Sequence, residues 1–79
     1  MALRFTKQVA YLEDSCGLDE AEPLLEWLLE HPSGKVNLKT CRGLHTAVLQ
    51  VLLAAAPTVT VKPVDEEFAR WLPAPLGKG

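Results

Sequence analysis

Seventy-nine residues, 48% apolar and 23% charged, suffice for one small domain and leave no room for a second. Eight basic residues against ten acidic ones give a net charge of −2, which excludes the basic footprint of an autonomous nucleic-acid-binding module. Two cysteines are too few for a disulfide-built secreted mini-protein, so Cys16 and Cys41 read as reduced thiols. The first residues lack the apolar run and small-residue cleavage site of a signal peptide. The longest greasy stretch, 47–56, would rise about 15 Å as a helix, half of what a bilayer needs. A cytoplasmic protein of bacterial style, without membrane insertion, is therefore expected.

The chain opens with apolar residues scattered among polar ones, which predicts a short edge strand at Leu3–Phe5 and a longer one over 8–13. Asp14-Ser15-Cys16-Gly17 ends it. Asp19 and Glu22 have capping-box spacing at the head of a helix. Pro23 belongs within a first turn, so either 18–22 is a separate turn or the helix starts near Glu22. Ala21, Leu24, Leu25 and Leu28 form its apolar stripe, Leu29 lies beside them, and Trp27 sits at the margin. Glu22, Glu26 and Glu30 lie opposite. His31-Pro32-Ser33-Gly34 stops the helix.

Period-two alternation predicts a strand over 35–39, and 40–45 reads as a loop. Thr46 is the expected N-cap of a helix over 47–56, closed by Pro57. Its expected sheet-facing side is Leu49, Leu52, Leu53 and Ala56. The β-branched run 58–62 is a further strand. Asp65 should cap a last short helix with Phe68, Trp71 and Leu72 inward, and 73–79 should be a flexible tail. The sum is one α/β domain over 1–79. It has a small mixed, mostly parallel sheet of three or four strands and three helices, in β(β)-α-β-α-β-α order, with one sheet face covered and the other partly open.

One segment is informative beyond fold. Val36-Asn37-Leu38-Lys39, a loop, and then Leu44-His45-Thr46-Ala47-Val48-Leu49-Gln50-Val51-Leu52-Leu53 resemble the signature of the STAS domain. That family occurs in sulfate transporters and anti-sigma-factor antagonists. Val36 and Leu38 match its strand, and Thr46 falls on its phosphorylatable Ser/Thr. Ala47 falls on its next small residue, and Leu49, Leu52 and Leu53 match its helix. The resemblance extends over about 9–72. His45 stands where the family has an acid, and Val48 where it has glycine.

The resemblance implies a non-catalytic, cofactor-free protein-interaction domain that binds an anti-sigma kinase or serves as adaptor of a transport complex. A phosphorylation-controlled antagonist switched at Thr46 is the alternative. The departure at His45 favours the adaptor.

The residues support that expectation without the family. The outer side of the helix over 47–56 carries Ala47, Gln50, Val51 and Ala54 and no charge, and a helix without a charged face is covered by its own chain or by a partner. Together with His45 and Thr46 these four are the candidate partner-binding residues, the partner being another protein or a second copy of the chain. Charges are also sorted. Seven of the ten acids lie between Glu13 and Glu30, and none lies between His31 and Val64. A third reading, a metal- or ligand-binding protein, uses Cys16, Cys41 and His45, whose spacing fits no compact zinc signature. No nucleophile, glycine-rich phosphate loop or paired acid stands out, so no catalytic residue is expected.

Overall fold

A computed structural model describes residues 2–73 and 76. Ten elements succeed one another: β1 (Leu3–Phe5), β2 (Val9–Leu12), β3 (Asp14–Cys16), a 3₁₀ turn (Leu18–Glu20), α1 (Ala21–Glu30), β4 (Lys35–Asn37), β5 (Cys41–Leu44), α2 (Thr46–Ala55), β6 (Thr58–Val61) and α3 (Glu66–Trp71). The fold is the expected mixed α/β arrangement, with three helices and a mostly parallel four-stranded sheet.

Strand order in that sheet is β1-β2-β4-β6. β1 runs antiparallel to β2, and β2, β4 and β6 are parallel. Both crossovers step in the same direction across the sheet, so right-handed connections place α1 and α2 on one face, where they pack side by side. Leu3, Ala10, Leu12, Val36 and Leu38 are buried with Leu24, Leu28 and Leu52 of the helices. The other face carries Arg4, Val9, Tyr11, Lys35 and Asn37, the alternate residues of the same strands. There the Arg4 guanidinium lies 4.1 Å from the Tyr11 ring centroid and pairs with Glu13 at 3.1 Å. Both partners of that ion pair are substantially exposed, so it adds little to stability.

A second, two-stranded parallel sheet pairs β3 with β5, where the sequence suggested a strand end and a loop. Neither strand alternates apolar with polar, and each is only three or four residues long. They pair because β2 and β4 already lie side by side and their chains resume beyond matched breaks. Asp14 turns one chain with φ of 57°. A turn closed by Cys41 N–H to Leu38 O at 3.0 Å, with Lys39 N–H on Asn37 Oδ1 at 2.9 Å, bends the other. Asp14 N–H then reaches Thr40 O at 3.0 Å.

Helix ends show where local chemistry differs from the sequence reading. The 3₁₀ turn leads straight into α1 and puts Pro23 in its first turn, where a missing N–H leaves no bond unmade. The Asp19/Glu22 capping box does not form; two residues earlier, Gly17 N–H donates to Glu20 Oε1 at 3.4 Å. α2 is capped by His45, not Thr46. The Nδ1 of His45 accepts from Ala47 N–H at 3.0 Å, which leaves Thr46 as the first helical residue. Asp65 caps α3 as expected, its Oδ1 accepting from Phe68 N–H at 3.0 Å. In α3 the buried residues are Phe68 and Ala69, with Leu72 just beyond, while Trp71 is exposed. Of the expected tail, Pro73 and Leu76 are described, and Leu76 joins the core. Residues 74, 75 and 77–79 lie outside the described residues.

Candidate interaction surface on α2

α2 begins at the carboxyl end of β5, the end of parallel strands where sites gather in α/β sheets. His45 ties that end together. Its backbone N–H donates to Cys16 O at 2.8 Å, and its carbonyl accepts from Val48 and Leu49 N–H at 2.9 and 3.1 Å. The helix start is thus fixed to β3 as well as to β5.

Burial along α2 is offset from the expected face. Val48 and Leu52 are fully buried, Leu49 and Val51 are half-buried against the core, and Leu53 and Ala56 are exposed. A shift of one residue rotates a helix face by about 100°. The cause is that α2 packs against α1 as well as against the sheet, and no charged residue on α2 fixes in advance which side must face water.

Of the candidate partner-binding residues, His45, Thr46, Gln50 and Ala54 are exposed, and Ala47 and Val51 are half-buried. Thr46, Gln50 and Ala54 follow i, i+4, i+8 spacing and so share one stripe. Leu53, 41% exposed, borders it and was missed because its leucine side chain suggested core. The surface is therefore small, uncharged and partly apolar.

Its neighbour α1 adds exposed Leu25 and Leu29, with Leu18 on the turn before it. Between Leu18 and Glu30 there are five acids and no lysine or arginine. The helical layer is thus negative where it is charged, and among the described residues the lysines and arginines lie on strands, loops and α3.

The metal-site grouping does not assemble. Cys16 and Cys41 are both buried, whereas His45 is exposed with Nδ1 occupied by the Ala47 N–H. Among the described residues no three His, Cys, Asp or Glu side chains converge. A pocket of about 110 Å³ lies at the far ends of α1 and α2, lined by Leu28, His31, Ala55 and Thr58 among others. Pockets for drug-sized ligands run to about 300–1,000 Å³. No described helix is long and apolar enough to cross a membrane.

No protein-family model matches the chain, and no curated protein or solved structure matches it either.

Proposed function

We propose that this chain is a non-catalytic protein-interaction domain of the regulatory kind found among STAS domains. It docks another protein through His45, Thr46, Ala47, Gln50, Val51 and Ala54 at the start and outer side of α2. The observation that carries the reading is the exposed stripe Thr46, Gln50, Ala54. It is an uncharged helix surface at the carboxyl end of the strands, bordered by exposed Leu53. The partner on this reading is an anti-sigma kinase or a subunit of a transport or signalling complex, met in the cytoplasm.

Thr46 supports a second form of the reading, a phosphorylation switch. Its side chain is exposed in the first turn of a ten-residue helix. A phosphate there would bring about −1.5 to −2 charges to the positive end of the helix dipole. It would leave the helix intact and change what docks beside it.

The test uses the double variant Gln50→Arg, Ala54→Glu. Binding is measured against a purified anti-sigma kinase and against a cytoplasmic subunit of a transport complex. Lost association with unchanged thermal unfolding supports the docking face, and unchanged association overturns it. Incubation of the wild type with that kinase and ATP, followed by mass spectrometry, decides the switch at Thr46. No phosphate on that residue removes it.

A further inference from the structure

α1 and α2 pack side by side, and two neighbouring helices leave a furrow along their line of contact. The residues beside it follow from helix geometry. Trp27 stacks on Phe5 of the edge strand β1, so the other flank of α1 is the one that faces α2. Leu28 lies on that flank and lines one pocket with Ala55 of α2. Leu25 and Leu29 stand next to Leu28 on the solvent side, one turn apart, 37% and 71% exposed. On α2, Ala47 and Val51 precede Ala55 at four-residue spacing, so they share its side toward α1 and are half-buried. Gln50 and Ala54 come next outward and are exposed. The furrow therefore has a leucine wall on α1 and a low wall of short or uncharged side chains on α2.

Its charge is one-sided. Glu22, Glu26 and Glu30 form an i, i+4, i+8 row along α1, beyond the leucines and away from α2. All three are exposed, and neither helix carries a lysine or arginine. The ion pairs among the described residues, Arg4 with Glu13 and Arg42 with Asp14, involve none of the three. Like charges at this spacing repel and weaken the helix that bears them. Cations laid along the row relieve that repulsion.

We propose that this furrow holds an amphipathic helix with a basic flank, presented by the partner protein. The proposal rests on the reading of α2 as the docking face, and it adds α1 and the chemistry of the partner. Apolar side chains of the incoming helix, one or two per turn, enter between the leucines of α1 and Val51 of α2. Its lysines or arginines lie along Glu22, Glu26 and Glu30, where opposite charge sets orientation and speeds encounter. The short side chains of Ala47 and Ala54 let a helix backbone approach closely, and Leu25 and Leu29 supply apolar area. A second copy of the chain suits the furrow less well, because its helical layer brings the same acids and no base. An acidic segment would leave the carboxylate row unmatched.

The probes are three labelled synthetic peptides of about five helical turns, titrated into the full chain and followed by fluorescence anisotropy. One is a leucine–lysine sequence patterned as an amphipathic helix. The second is a scramble of the same composition, and the third has glutamate for every lysine. The patterned basic peptide should bind several-fold more tightly than the scramble, weaken as salt is raised, and outbind the acidic peptide. Leu29→Ser, and separately Glu22→Gln with Glu26→Gln, should each weaken it several-fold with thermal unfolding no lower than wild type. The proposal is overturned if the patterned peptide does not bind, if the scramble or the acidic peptide binds as well, or if both α1 variants bind like wild type. The double variant Gln50→Arg, Ala54→Glu separates the two readings. If it loses the peptide while the α1 variants keep it, the α2 face stands and its extension onto α1 falls. If it keeps the peptide while the α1 variants lose it, the α2 face falls and the furrow with it.

Discussion

Gly34 lies against the indole of Trp27: a Cβ at this glycine would stand 2.7 Å from both Cη2 and Cζ3 of the ring and 2.9 Å from His31 O. Its backbone φ is not positive, so glycine is needed here for space, not for conformation. Trp27 cannot yield easily. It stacks with Phe5, at 5.3 Å between centroids, and with His31, at 4.3 Å. Gly34→Ala should cost about 1–3 kcal/mol by overpacking and change the near-ultraviolet circular dichroism of the indole. An unaltered urea midpoint would show that the ring moves freely.

Adjacent leucines on α2 have opposite surroundings. Leu52 is fully buried and Leu53 is 41% exposed. Leu52→Ala should cost about 2–5 kcal/mol through transfer and cavity effects. That is a large share of the roughly 4–12 kcal/mol expected for a domain of this size. Leu53→Ala should cost less than about 1 kcal/mol, from the smaller area it covers. Equilibrium urea unfolding of both variants reads the difference, and equal losses would mean that α2 is rotated from its position here.

Ala56 ends α2 in the left-handed region, with φ of 49°, and its N–H bonds Leu52 O at 2.9 Å. Glycine removes the steric cost of that conformation at a helix end. Ala56→Gly should raise stability by about 0.5–1 kcal/mol, measured as a higher midpoint with unchanged m-value. A loss instead would argue that this residue is not in the left-handed region.

His45 caps α2 through its imidazole. His45→Ala should cost about 0.5–2 kcal/mol, and His45→Asn should recover most of it because an amide oxygen serves the same N–H. If Thr46→Val cost as much as His45→Ala, the cap would have been assigned to the wrong residue.

Much of this fold is readable from pattern, and the failures share a cause. Thr58–Val61 and the core-facing Val36 and Leu38 follow from period-two alternation. The Asp65 cap follows from side-chain chemistry. What pattern could not reveal is decided by neighbours distant in sequence. Cys41-Arg42-Gly43-Leu44 has no strand signal, and only pairing with Asp14–Cys16 makes it one. Leu53 and Val48 are equally greasy, and only the position of α1 beside α2 decides which is enclosed. The His45 cap was masked by Thr46, a commoner cap standing next to it. Among the site residues, Thr46, Gln50 and Ala54 were legible as an uncharged stripe, whereas the half-burial of Ala47 and Val51 depends on packing that the sequence does not spell.

The sheet order β1-β2-β4-β6 also bears on how the chain reaches this shape. Ala10 meets Val36 and Val36 meets Val59, so each parallel pairing joins segments about 25 residues apart, and neither waits for the two ends of the chain to find each other. The entropy of closing a loop grows slowly with its length, and chains dominated by nearer contacts fold faster than those that must bridge their termini. The molecule can therefore assemble as a zipper, each new strand laid against the last with its own helix as the clasp.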